Sequence, residues 1–132
     1  MTSVLVSTAL GVARVDAESG HFELLEEDVL PARSKVTPPL PLLVTAAQTG
    51  SRVVAVLRRR PPLVVSDDAG TTWRELGGGL PAGVDVDIDP DDPDLLVFAS
   101  TSRLYVSRNG GLFWRALELE LPAITAVTWE TS

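Results

Sequence analysis

One octapeptide pattern recurs in this chain, with Ser, Gly and Trp at its first, fifth and eighth positions. Ser66-Asp67-Asp68-Ala69-Gly70-Thr71-Thr72-Trp73 returns as Ser107-Arg108-Asn109-Gly110-Gly111-Leu112-Phe113-Trp114, an offset of 41 residues from Ser66 to Ser107. The register extends beyond the octapeptide. Leu63 matches Leu104, Val65 matches Val106, Arg74 matches Arg115, Leu76 matches Leu117, and Leu80-Pro81 matches Leu121-Pro122. A period near 40 residues, built on short apolar runs, limits the chain to architectures in which similar units stack on one another.

The runs between the turns read as strands. Thr2–Thr8, Gly11–Val15 and Phe22–Leu25 open the chain, and Asp16–Gly20 forms a turn between the second and third. Glu26-Glu27-Asp28 reads as a solvated acidic cluster, and Leu30-Pro31 closes the segment. Residues 32–40 form an extended connection, held non-helical by Pro38, Pro39 and Pro41. Strands then follow at Leu42–Ala47, Arg52–Leu57, Leu63–Val65 and Trp73–Leu76. The next unit has them at Gly83–Ile88, Leu95–Ser100, Arg103–Val106 and Trp114–Leu117. A final strand is expected over Ala123–Trp129. The first unit lacks its leading strand and the tail supplies one, so the pattern is three four-stranded units. The single domain 1–132 divides into 1–31 with 123–132, 32–81, and 82–122.

Ser-x-Asp-x-Gly-x-x-Trp between the third and fourth strands of such a unit resembles the Asp-box, or BNR, repeat. That family includes sialidases, sortilin-type receptors, xyloglucan hydrolases and photosystem II assembly factors. The turn Asp89-Pro90-Asp91-Asp92-Pro93-Asp94 before an aliphatic strand is similar to a second feature of these repeats. The first box matches at Ser66, Asp68, Gly70, Thr72 and Trp73. The second keeps Ser107, Gly111 and Trp114, with Asn109 at the Asp position and Phe113 where Thr is common. A third, degenerate box covers Val15–Phe22, with Phe22 at the Trp position, and is expected to lack side-chain hydrogen bonds. The resemblance implies an all-β fold, a β-propeller of four-stranded antiparallel blades with three blade-equivalents per chain.

The box residues read as structural. Ser66 and Asp68 can satisfy N–H groups in a tight turn, Gly70 permits an unusual backbone angle, and Trp73 supplies a large ring to pack between sheets. Asp85, Asp87 and Asp89 alternate with Val84, Val86 and Ile88, so they share one strand face. In a propeller the first strand lines the axis, which makes these three aspartates the candidate ligand or cation site; a solvated strand face and turn is the plainer alternative. Arg58, Arg59 and Arg60 read as a solvated hairpin tip, His21 as a surface residue, and Tyr105 as a core-strand residue without the Glu partner a sialidase nucleophile requires. Trp129 reads as core.

Three blades make at most half a ring, and the two end blades would then expose apolar faces. Two-fold association into a six-bladed homodimer is the simplest remedy. In that scheme Ala123–Trp129 pairs in trans with Thr2–Thr8, and Val4, Val6, Ile124, Val127 and Trp129 form the dimer closure. A half-length piece of a longer propeller is the alternative.

The net charge of −7 argues against binding nucleic acid, and the absence of cysteine excludes thiolate chemistry. Val4–Ala13 follows no Lys or Arg, so it reads as a strand and a cytoplasmic location is expected; no run approaches a membrane span. No cofactor or metal is implied. The expected function is a non-enzymatic binding or scaffold protein for a glycan or peptide. The alternatives are a glycan-acting hydrolase of the sialidase or xyloglucanase kind, by analogy of fold alone, and a ligand-free half-propeller fragment.

Overall fold

The computed structural model describes residues 2–26 and 36–130. Glu27, Asp28, Leu30-Pro31 and the start of the proline-rich connection lie outside them. Among the described residues twelve strands are formed: β1 Ser3–Thr8, β2 Gly11–Asp16, β3 Phe22–Leu24, β4 Leu43–Thr49, β5 Arg52–Leu57, β6 Leu63–Ser66, β7 Arg74–Leu76, β8 Asp85–Asp89, β9 Asp92–Ala99, β10 Leu104–Ser107, β11 Arg115–Ala116 and β12 Ile124–Trp129. They make three four-stranded antiparallel sheets, in the orders β4-β5-β6-β7, β8-β9-β10-β11 and β12-β1-β2-β3. We refer to these as the first, second and third sheets. Strand β8 packs between β4 and β12, so the second sheet is the middle of the stack. The result is an all-β, propeller-like arrangement.

The sheets are joined by two apolar layers. Between the first and second, Val54, Val56, Leu63 and Val65 meet Val86, Ile88, Leu96 and Phe98, with Tyr105 and Trp114 packed at the side. Between the second and third, Val97, Ala99, Leu104 and Val106 meet Val4, Val6, Val15, Ile124, Val127 and Trp129. The middle sheet is thus apolar on both faces, which explains its near-continuous run Leu95-Leu96-Val97-Phe98-Ala99. Phe98 is fully buried, with ring centroids 5.9 Å from Tyr105 and 6.1 Å from Trp114. Gly83 leaves it room, since a Cβ there would stand 2.3 Å from the Phe98 ring.

The closure expected in trans occurs within the chain. Strand β12 pairs with β1 of the same molecule, Val4 opposite Trp129, Val6 opposite Val127 and Thr8 opposite Ile124. Val4, Val6, Ile124, Val127 and Trp129 are therefore core of a split sheet that the chain closes on itself. The physical reason is that intrachain pairing costs only loop closure, which grows slowly with loop length, whereas pairing in trans also costs association entropy.

The end faces also differ from expectation. On the outer face of the first sheet, Ala46, Val53, Ala55, Leu57 and Val64 are buried, with Val36, Leu40, Leu43 and Trp73 packed against them. The proline-rich segment thus acts as a strap over this face. By the register of the paired strands, the outer face of the third sheet has Ser3, Leu5, Ser7, Val12 and Arg14 where the second sheet has Leu95, Val97, Ala99, Leu104 and Val106. Three of five apolar positions have become polar. Arg14 closes that face with two bonds to Glu130, 2.8 and 2.7 Å, and one to Glu23, 3.0 Å. A stack finished this way does not present bare apolar ends, as terminal units of repeat proteins must not.

Candidate functional site

Asp85 and Asp87, offered by the sequence as axial ligands, are buried stitches between sheets. Val127 and Trp129 point their N–H groups away from β1, toward the unpaired edge of β12, because Glu130 N–H is the one that bonds back to Ser3. Asp85 Oδ2 accepts from Val127 N–H at 2.9 Å, and Asp87 Oδ2 accepts from Trp129 N–H at 2.8 Å and the Thr128 hydroxyl at 3.1 Å. The other oxygen of each carboxylate takes the next N–H of its own strand, Val86 and Ile88, at 2.9 Å. The Trp129 indole N–H reaches Asp87 carbonyl O at 3.3 Å. Two neighbouring edge strands that share no ladder are thereby bridged by carboxylates, and an exposed edge is satisfied. The plainer expectation of a solvated strand face is corrected for both residues, which are buried. In a stacked sheet the polar face of a strand is still an interface, so its polar groups must find partners there. Asp89, less buried, caps its own turn by accepting from Asp91 N–H at 2.8 Å.

The two repeated turns are built alike. In the first, the Ser66 hydroxyl donates to Asp68 Oδ1 at 2.7 Å and accepts from Gly70 N–H at 2.8 Å. Asp68 accepts from Thr72 N–H at 2.8 Å and from the Thr72 hydroxyl at 2.6 Å. Gly70 has φ +96°, and the Trp73 indole folds back to Gly70 O at 3.1 Å. In the second turn Ser107 serves Gly111 N–H at 2.8 Å, Asn109 Oδ1 accepts from Phe113 N–H at 3.0 Å, and Trp114 bonds Gly111 O at 3.0 Å. Trp114 packs between sheets, as the resemblance implies. Trp73 packs under the strap instead, because among the described residues no sheet stacks on the outer face of the first. The degenerate turn does keep side-chain bonds, contrary to expectation: Asp16 Oδ1 accepts from Glu18 and Ser19 N–H at 2.8 and 2.9 Å. Its Phe22 stays partly exposed.

The Thr72 hydroxyl and N–H and the Ser66 hydroxyl together hold the Asp68 carboxyl well below its ordinary value of 3.8. Asp67 is lowered by Arg74 and Arg52, and Asp16 by the N–H groups of Ser19 and Glu18. The sign follows from linkage. The unfolded carboxyl takes its proton first, so the contribution is complete above the unfolded value and is lost as pH falls through the folded one. We expect Asp68→Asn to make the fall in stability between about pH 4 and pH 2 shallower than in the parent. Denaturant midpoints measured across that window test this; equal slopes would remove Asp68 from the acid response. The fold should survive the change, since Asn109 already holds the second turn.

Of the remaining candidates, Arg59 pairs with Glu75 at 2.6 Å, His21 is exposed, and Tyr105 lies against Phe98. Among the described residues no group of three or more His, Asp or Glu is gathered for a metal, and no helix is long and apolar enough to cross a membrane.

A feature not anticipated lies beside the two turns. Each borders a surface groove, and the linings correspond position for position: Val65, Asp67, Asp68, Thr72, Trp73 and Arg74 beside the first, Val106, Arg108, Asn109, Phe113, Trp114 and Arg115 beside the second. The second is also bordered by Glu18 of the third sheet, and its volume is about 530 Å³ against about 230 Å³ for the first. Asp67 in the first groove is shared between Arg52 and Arg74. Aligning the two octapeptides shows Arg108 at the place of Asp67 and Phe113 at that of Thr72, a contrast visible in the sequence.

No family model and no curated protein matches the chain. Among solved structures it is similar to the crystal structure of the Niastella koreensis GH74 enzyme, at 18% identity and a TM-score of 0.46. That alignment covers 87% of this chain and 17% of the other, so the chain spans about a sixth of its length. The fold assignment rests on the sheets themselves.

Proposed function

We propose that the chain is a non-enzymatic binding or scaffold module of the Asp-box propeller type. The supporting observation is how the acidic strand face is used. Asp85 and Asp87 are committed to inter-sheet bonds, whereas large apolar side chains stand free at turn tips, Leu10, Leu112 and Phe113. Carboxylates so committed hold two sheets in register. Glycosidase carboxylates instead flank a cleft and exchange protons with substrate. Exposed apolar side chains beside charged ones suit contact with another molecule.

The test is direct. Labelled xyloglucan oligosaccharides and sialyllactose, incubated with the purified chain, are expected to remain intact. Release of sugar that disappears on substitution of a single carboxylate would establish the hydrolase instead.

A second reading is two-fold closure into a six-bladed ring. One observation favours it: Leu96, Phe98, Tyr105 and Trp114 receive the preceding sheet, while their counterparts Val53, Ala55, Val64 and Trp73 receive only the strap. A second molecule could dock there by displacing the strap. Because both end faces are covered, the expected solution mass is that of the 14.1 kDa monomer. Light scattering at twice that mass would support the ring.

A further inference from the structure

The paired grooves carry one inference further, resting on the binding-module reading. The same groove is built twice with opposite chemistry. In the first, Asp67 accepts from Arg52 Nε at 2.9 Å and also from Arg74, and Asp68 is held by Thr72, so charge is balanced internally. In the second, both carboxylates are gone. Arg108 replaces Asp67, Asn109 replaces Asp68, and Arg115 is retained. The one acidic side chain there, Glu18, stands 3.6 Å from Arg108, a loose exposed contact. Arg115 uses one nitrogen to hold Ala17 O and Glu18 O, both at 2.9 Å, which fixes its guanidinium at the wall of the groove. Phe113 and Leu112 project beside it, 78% and 69% exposed.

We propose that this second groove binds an acidic peptide segment, with carboxylates on Arg108 and Arg115 and an apolar side chain against Phe113. Charge selects the partner. A cationic groove on a chain of net charge −7 offers local attraction to an anionic ligand that the net charge repels. Arginine forks match carboxylates geometrically, and an exposed aromatic beside them supplies an apolar anchor. The lining favours a peptide over an acidic glycan. Sugar hydroxyls require many polar partners, and Asn109 Oδ1 is already taken by the Ser107 hydroxyl and Phe113 N–H.

The probe is a fluorescein-labelled peptide, Asp-Leu-Asp-Glu-Phe-Asp, followed by anisotropy with the full chain. Arg108→Glu and Phe113→Ser are each expected to weaken binding by about tenfold or more. Arg60→Glu, which makes the same change in net charge at the hairpin tip, is expected to alter it less than about twofold. None of these side chains makes the turn's own bonds, so the fold is retained, and circular dichroism checks it. Failure of the peptide to bind, or equal loss with Arg108→Glu and Arg60→Glu, would overturn the proposal. Peptide binding insensitive to both groove variants would overturn this site while leaving a binding module standing. Oligogalacturonate competing as strongly as the peptide would replace the peptide by an acidic glycan and also overturn it.

Discussion

Asp87→Ala is expected to cost about 3–5 kcal/mol, because it strips the acceptor from three donors at once. Ile88 N–H, Trp129 N–H and the Thr128 hydroxyl all end on this carboxylate, and Asp87 is 7% exposed. Each buried donor left without a partner carries a desolvation penalty of roughly 1–3 kcal/mol. Total stabilities of small domains are about 5–15 kcal/mol, so the loss approaches unfolding. Asp87→Asn keeps one acceptor oxygen but turns an N–H₂ toward a donor, so its cost should be intermediate. Urea denaturation measures the totals. Amide exchange locates the effect: the Val127 and Trp129 N–H groups should lose protection before those of β5 and β6. A variant within about 0.5 kcal/mol of the parent, a change typical of ordinary surface substitutions, would show that the carboxylate is not a stitch.

The second large effect is Phe98→Ala, expected to cost about 3–5 kcal/mol through lost burial and the cavity left behind. The ring is fully buried where the first and second sheets meet, against Tyr105 and Trp114 and beneath Gly83. Collapse into the space is limited, since neighbours on both sides belong to separate sheets already seated on each other. Melting temperature should fall by roughly 10–20 °C, whereas Leu10→Ala at an exposed turn should leave it nearly unchanged. A fall of only a few degrees for Phe98→Ala would mean that the two sheets are held together elsewhere.

Much of the architecture was legible in the chain. Alternation and the 41-residue register located the strands, and Ser66, Asp68, Gly70 and their counterparts announced the turns through local chemistry. Local signals of this kind read well because both partners lie within a few residues. The destination of Asp85 and Asp87 did not read, since their partners lie 42 residues away on β12. The alternating pattern separates two faces of a strand, and only stacking tells whether the second face meets solvent or another sheet. The groove beside Phe113 was half legible: the substitutions were plain, but not that Glu18 and Ala17 would form its far side.

The repeat alone required stacked four-stranded sheets, because no sheet with apolar residues on both faces is stable unless neighbours cover them. It also required that the tail complete the opening sheet, because each supplied what the other lacked. Whether that completion happened within one molecule was not written in the strands, since the same ladder serves either way. Nor was the covering of the end faces. The Arg14–Glu130 pair joins residues 116 positions apart, and the strap covers Ala55 and Leu57 through contacts no local pattern encodes. Local sequence sets which surfaces each strand offers, and the tertiary arrangement decides what meets them.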